Sequence, residues 1–177
     1  ESESYANCLA LDGIDDYLVL PENIGSSEDF TFAAWVYWNG GDKWQRLFDL
    51  GEDTSSYMFL TPSAYSSQLR FAITQNGYEG EQRLESEAFP VNQWAHVAVV
   101  LNGDTGRLYI NGSLQDSKSI TLNPSDIAMT KNYLGKSNFN ADPLFSGMLD
   151  DVYISDAAMQ GDEIAALMNN SPPQFTE

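Results

Sequence analysis

Apolar and polar positions alternate at a period of two over most of this chain, which is the signature of half-buried strands. Phe30–Trp38 sets Phe30, Phe32, Ala34, Val36 and Trp38 on one face and Thr31, Ala33, Trp35 and Tyr37 on the other. Residues 94–101 place Trp94, His96, Ala98 and Val100 on one side and Ala95, Val97, Val99 and Leu101 on the other. Both faces of this segment are largely apolar, which predicts an inner strand covered on both sides. Asn102-Gly103-Asp104-Thr105-Gly106 breaks the run with residues that favour turns, and residues 107–110 resume as a half-buried strand. Asn111-Gly112 then predicts a tight hairpin, because a type I′ turn needs positive φ at both central positions. Further strands are expected over residues 5–11, 17–20, 44–50, 57–60, 68–74, 83–89, 132–135 and 145–154, with a polar loop over 120–127. The last long strand should lie beside the first and close the structure.

Only residues 162–168 read as a helix. Asp162 and Glu163 occupy its first turn, where negative charge suits the helix dipole, and Ile164, Leu167 and Met168 give it a small apolar face. Strands joined by turns, without intervening helices, predict an all-β fold: an antiparallel β-sandwich with one short C-terminal helix. Residues 1–170 are expected to form one domain. Ser171-Pro172-Pro173 and the residues to Glu177 read as an extended linker to a following domain, so neighbouring domains in the same chain are expected partners.

Charge narrows the partners. The 177 residues carry 26 acidic against 8 basic side chains, a net charge of −18. Nucleic acid is a poor partner for such a chain, since phosphate binding needs clustered Lys and Arg. An anionic membrane surface is disfavoured for the same reason, and no apolar run has the length of a membrane span. The single cysteine, Cys8, rules out an internal disulfide and lies in the apolar run Cys8-Leu9-Ala10-Leu11 as a small buried hydrophobe. Small secreted eukaryotic domains usually carry disulfides, so a bacterial or an intracellular origin is expected, the bacterial one being favoured. The start at Glu1-Ser2-Glu3-Ser4 suggests a processed or excised end, compatible with a secreted or cell-surface protein.

Several segments in order resemble the laminin-G-like, concanavalin-A-like sandwich domains. They are Leu11-Asp12-Gly13-Ile14-Asp15-Asp16-Tyr17, Phe30-Thr31-Phe32-Ala33-Ala34-Trp35-Val36, Trp94-Ala95-His96-Val97-Ala98 followed by Leu108-Tyr109-Ile110-Asn111-Gly112, Tyr133-Leu134-Gly135-Lys136-Ser137, and Phe145-Ser146-Gly147-Met148-Leu149-Asp150-Asp151-Val152. The resemblance implies a jelly-roll sandwich of two curved antiparallel sheets. It covers lectins, enzymes, carbohydrate-binding modules and adhesion domains, so it says more about fold than about function.

Two constellations carry candidate chemistry. Asp12, Asp15 and Asp16 cluster on the first turn, and Asp150 and Asp151 lie in the last long strand. Calcium takes about six to eight oxygens from carboxylates, carbonyls and water, and acidic groups from both chain ends are able to supply them. The resemblance implies a structural calcium held by Asp12 and Asp150. The alternative is that Asp12 and Asp15 bond turn backbone while Asp150 is merely exposed. The second constellation is a sugar-binding surface: aromatic rings stack on the apolar faces of pyranoses, while amides and guanidiniums bind hydroxyls. Trp44 with Arg46, Tyr57, Tyr65, Tyr78 and Phe139 are its aromatic and cationic candidates, and Asn138, Asn140 and Asp142 lie in a further loop.

Catalysis finds less support. The Glu-x-Asp-x-x-Glu spacing that some enzymes of this shape use to pair carboxylates is absent. The acidic run Glu79-Gly80-Glu81-Gln82-Arg83-Leu84-Glu85-Ser86-Glu87 reads as a solvated hairpin, and His96 has no partner nucleophile and reads as structural beside Trp94. What the resemblance and the linker-like tail imply is a non-catalytic carbohydrate-binding module that targets a secreted bacterial polysaccharide-degrading enzyme to its glycan and holds a structural calcium. Its rivals are an adhesion or spacer module of a large surface protein and a glycan-cleaving enzyme of the same fold.

Overall fold

The computed structural model describes residues 8–170, so the expected linker over 171–177 and the start of the first strand lie outside the described residues. Twelve strands and one α-helix follow in order: β1 (Leu9–Asp12), β2 (Leu18–Val19), β3 (Phe30–Trp38), β4 (Phe48–Gly51), β5 (Tyr57–Thr61), β6 (Arg70–Thr74), β7 (Gln82–Glu85), β8 (Trp94–Asn102), β9 (Thr105–Ile110), β10 (Ser113–Ser119), β11 (Lys131–Leu134), β12 (Ser146–Ser155) and α1 (Gly161–Asn170). They build two six-stranded antiparallel sheets, a first sheet ordered β1-β12-β3-β8-β9-β10 and a second ordered β2-β11-β4-β5-β6-β7. This is the antiparallel β-sandwich that the alternation predicts, with its one helix at the C-terminal end.

The period-two pattern sorts the side chains as expected. Phe30, Phe32, Ala34, Val36 and Trp38 of β3 and Ala95, Val97, Val99 and Leu101 of β8 face inward. They meet Phe48, Leu50, Met58, Leu60, Phe71, Ile73 and Leu84 of the second sheet in one continuous core. The other face of β3 and β8 is covered as well. Ile164 of α1 is fully buried there, against Ala33, Ala98, Val100 and Tyr109. The hairpin at Asn111-Gly112 has positive φ at both residues, 49° and 74°, as a type I′ turn requires. Asn111 Oδ1 also accepts the His96 amide at 2.8 Å and so ties the turn to β8.

The last long strand closes the first sheet: β12 lies between β1 and β3, so the first and last strands run side by side at one edge of that sheet. Gly147 allows this closure, because a Cβ there would stand 2.1 Å from the Tyr37 carbonyl oxygen, well inside contact distance.

Two expectations about elements are corrected. Residues 44–47 are not strand: β4 begins only at Phe48, and Trp44 has a φ of 72°, so it is a bend that throws the indole over the sheet. β10 is implied only by the hairpin at Asn111-Gly112, and its own residues carry no strand pattern. Its residues, Ser113 to Ser119, are almost all exposed, and the strand exists because β9 offers it a free edge rather than because its own side chains bury.

Candidate functional site

The outer face of the second sheet is built from cross-strand rows. Register pairs Asp49 with Phe59, Phe59 with Ala72 and Ala72 with Arg83, so these four side chains line up across β4 to β7. Thr61, Arg70 and Glu85 form a parallel row, and Tyr57 pairs with Thr74. Two loops lie over these rows. The bend at Trp44 brings its ring edge-on to Phe59, with centroids 6.5 Å apart, and the loop after β11 brings Phe139 edge-on to Tyr57 at 5.4 Å. Between the two loops lies a cavity of about 140 Å³ lined by Trp44, Arg46, Tyr57, Phe59, Tyr78, Glu81, Phe139 and Asp142.

Charged groups beneath the aromatics are paired and held. The Arg46 guanidinium lies 4.0 Å from the Phe59 ring centroid and donates to Asp142 Oδ2 at 2.9 Å and to the Trp44 carbonyl at 2.7 Å. Its Nε stands 3.4 Å from Asp49 Oδ2. Asp49 is fully buried; it accepts the Asn138 amide at 3.1 Å, the Asn138 side-chain Nδ2 at 2.8 Å and the Ser137 hydroxyl at 3.3 Å. Burial pushes the Asp49 carboxyl up, and the Arg46 charge and the Asn138 and Ser137 bonds oppose that push. On the far side, Tyr57 donates its hydroxyl to Glu81 Oε1 at 2.8 Å, and Arg83 Nε reaches Glu81 Oε2 at 2.7 Å. Burial, followed by the Glu81 carboxylate that accepts this bond, drives the Tyr57 hydroxyl well above the ordinary tyrosine range. Arg70 holds Glu85 at 2.6 Å.

The expected ligand residues therefore divide. Trp44 and Tyr78 line the cavity with rings that a ligand can reach, and Tyr78 is 64% exposed. Tyr57 and Arg46 form its floor, since neither is exposed by more than 2%. Tyr65 is 72% exposed and stands edge-on to Trp44 at 6.2 Å, outside the cavity lining. Asn138 and Asn140 belong to a second, more polar cavity of about 320 Å³ beside the first, which Asp53, Thr54, Lys131, Tyr133, Lys136 and Ser137 complete.

The charged part of the site was legible only in fragments. Glu81 was assigned to a solvated hairpin; instead its side chain is 5% exposed and clamped by Tyr57 and Arg83. Asp49 gave no signal beyond its place in a strand. An aspartate between Phe48 and Leu50, three residues after Arg46, marks a buried pair only once the fold is assembled.

The acidic residues considered for a metal separate as well. One carboxylate oxygen each from Asp12, Asp15 and Asp16 lies within 4.8 Å of the others. That span is about twice a calcium–oxygen distance, so the three fit around a single ion. Asp12 Oδ1 also accepts the amides of Ile14 at 2.7 Å and Asp15 at 3.3 Å, and the Ile14 bond chiefly lowers the pKa of this exposed carboxyl. Asp150 and Asp151 are elsewhere. Asp12 pairs with Ser146 and Leu9 with Leu149, so Asp150 lies beyond the opposite end of β1 from Asp12. Four residues of strand separate it from Ser146, roughly 13 Å at the usual rise. Asp151, with φ of 47°, sits in a β-bulge where its amide donates to Asp150 Oδ1 at 2.9 Å. A single ion therefore does not bridge the two ends as expected.

A family model described as the concanavalin A-like lectin/glucanases superfamily, of the third laminin G type, matches residues 12–165. The chain belongs to this superfamily. No curated protein sequence matches it. Among solved structures of the superfamily's shape, domain 4 of AbnA, a GH43 extracellular arabinanase from Geobacillus stearothermophilus in complex with arabinotriose, superposes with a TM-score of 0.79 at 19% identity, covering 94% of this chain and 79% of that one. The CBM40 of the Ruminococcus gnavus IT-sialidase bound to alpha2,3 sialyllactose superposes with a TM-score of 0.71 at 14% identity, covering 86% of this chain and 96% of that one. Identities this low establish the shared fold of the superfamily. Among the described residues no helix is long and apolar enough to cross a membrane.

Proposed function

We propose that this chain is a non-catalytic carbohydrate-binding module. The observation that carries the reading is the cavity on the second sheet: rings of Trp44, Phe59, Tyr78 and Phe139 beside the polar edges of Arg46, Glu81 and Asp142. Apolar ring faces with a few oriented polar groups are what a saccharide needs, since a pyranose or furanose has both apolar faces and a rim of hydroxyls. The carboxylates nearby are engaged in ion pairs: Glu81 with Arg83, Asp142 with Arg46 and Glu85 with Arg70. Carboxylates clamped by arginines are poor general acids, which favours binding over cleavage. Support also comes from the two similar structures, which are domains of glycan-degrading enzymes and hold an arabinotriose and a sialyllactose.

Its role would be accessory: a secreted bacterial polysaccharide-degrading enzyme carries it and is held near a polymeric glycan, raising the effective concentration of chain ends or linkages at the catalytic domain. Asp12, Asp15 and Asp16 would hold a calcium ion that pins the turn between β1 and β2. The ion supplies only structural charge neutralisation there.

Affinity electrophoresis through gels containing soluble polysaccharides tests the reading. Retardation by at least one polymer, weakened about tenfold in Tyr78→Ala with an unchanged melting temperature, is the expected result. Free migration through arabinan, xylan, glucan, galactan and acidic polysaccharide gels alike would turn the assignment toward the adhesion or spacer role.

A further inference from the structure

The chain carries eight cationic side chains against 26 acidic ones, yet Lys43, Arg46, Arg70, Arg83, Lys131 and Lys136 all gather at the second sheet's outer face and its loops, leaving only Arg107 and Lys118 elsewhere. The three arginines are spent on carboxylates. The lysines are not: among the described residues neither Lys131 nor Lys136 forms an ion pair within 4.0 Å. Both line the polar cavity beside the aromatic pocket.

Lys136 is held in place without being neutralised. Its Nζ lies 4.1 Å from the centroid of Tyr17 and 5.0 Å from that of Tyr133, two rings that meet edge-on. Ring faces steady an ammonium but leave its donors free for an anion. Lys131 faces Asp53, whose Oδ1 is already bonded to the amides of Ser55 at 2.7 Å and Ser56 at 3.1 Å. Asn138 donates its side-chain amide to Asp49 and to the Lys131 carbonyl, which turns its Oδ1 away from those partners. The cavity thus offers two ammonium groups, one engaged carboxylate and amide groups suited to hydroxyls, in a protein whose remaining surface repels anions. A cavity of about 320 Å³ is at the small end of ligand pockets, the scale of one sugar unit.

We propose that this cavity binds the anionic group of an acidic saccharide, a carboxylate or a sulfate ester, through Lys131 and Lys136, with an adjoining sugar ring against Trp44, Tyr78 and Phe139. The inference rests on the carbohydrate-binding reading above and narrows its ligand class. A bond from an ammonium group to such an anion is charge-assisted and screened by salt.

The test compares matched polymers in affinity gels at low salt: polygalacturonate against its fully methyl-esterified form, and dextran sulfate against dextran. The wild-type chain and the variants Lys131→Gln and Lys131→Gln/Lys136→Gln are run side by side, with near-UV circular dichroism as the check on folding. Lys131 is exposed, so the single variant keeps its fold even if loss of the Lys136–tyrosine stack disturbs the double one. Retardation by polygalacturonate and not by its ester, weakened about tenfold in the single variant and by 0.2 M salt, is the expected result and assigns a carboxylate. Retardation by dextran sulfate alone, with the same dependence on Lys131, supports the inference and assigns a sulfate. Retardation by neutral polymers only, equal in wild type and variants, overturns it while leaving the carbohydrate-binding reading intact. Free migration through all four gels overturns the inference, and free migration through the neutral polymers of the panel above as well overturns both.

Discussion

The outer faces of the two sheets meet solvent in opposite ways. On the first sheet, α1 lies across β3 and β8 and buries Ile164 among Ala33, Ala98, Val100 and Tyr109. Small residues on the strands make room for the helix, and the face is closed. On the second sheet, among the described residues, no α-helix arrives. Its outer row is Asp49, Phe59, Ala72 and Arg83, and two loops cover it only in part, so rings and ion pairs surround a cavity instead of filling it. One sandwich therefore closes one face with a helix and leaves an open cavity on the other. The difference lies in whether the covering element brings a continuous apolar stripe or isolated rings with charged neighbours.

The largest expected effect lies under the open face. Asp49→Ala would leave Arg46 buried with one partner fewer and the Asn138 and Ser137 donors unmatched; chemical denaturation should show a loss of about 3–5 kcal/mol. A smaller loss would mean that this face tolerates charge better than its burial implies. On the closed face, Ile164→Ala should cost about 2–4 kcal/mol and release α1 before the sheets unfold, visible as early hydrogen exchange across α1 while the paired strand residues Ala33 and Ala98 stay protected. If the helix stays protected, packing by Ala158, Met159 and Leu167 holds it without that anchor.

Acid sharpens the comparison further. His96, on the first sheet edge-on to Trp35, is buried with Nδ1 unpartnered, and burial pushes its pKa down to about 4. The unfolded chain takes up that proton near pH 6.5, whereas the folded chain refuses it until about pH 4. The folded pKa is lowered, so the stabilising contribution is complete above pH 6.5 and is lost as pH falls through this window, by up to about 3 kcal/mol. His96→Phe should flatten that part of the pH–stability curve, and an unchanged slope would remove His96 from the account. The smallest effect is expected from calcium at Asp12, Asp15 and Asp16: millimolar calcium after chelation should raise the melting temperature by a few degrees, and Asp15→Asn/Asp16→Asn should abolish the rise. No shift on calcium addition would leave the three carboxylates as a solvated turn.

Legibility followed the same division. The residues of β3 and β8 could be sorted to faces directly, because each side chain's fate is set by its own polarity and a period of two. The aromatic candidates were legible as loop residues with no local reason to be apolar, and Trp44, Tyr78 and Phe139 do meet at one cavity. Tyr65 does not, since nothing in its own loop tells how far it stands from Phe59. Glu81 reads as solvated and is not, because its partners Tyr57 and Arg83 reach it through strand register and not through sequence neighbours alone. Joining Asp12 to Asp150 failed for the same reason: adjacency of β1 and β12 follows from the pattern, but their register separates the two carboxylates by several residues.

By itself, the sequence determined the all-β class, the sandwich, the hairpin at Asn111-Gly112 and the inner faces of the long strands, since local polarity and turn chemistry act over a few residues. Only the tertiary structure decided that α1 closes one face, that the other keeps Arg46 and Asp49 as a buried pair beneath open rings, and that Lys131 and Lys136 share one cavity. Those outcomes depend on strand order and register, which set Ile164 of α1 against Ala33 of β3 and bring Arg46 to Asp142, 96 positions further along the chain. Charges so distant in the chain have no local pattern to betray them, because their pairing energy exists only once the sheets have assembled.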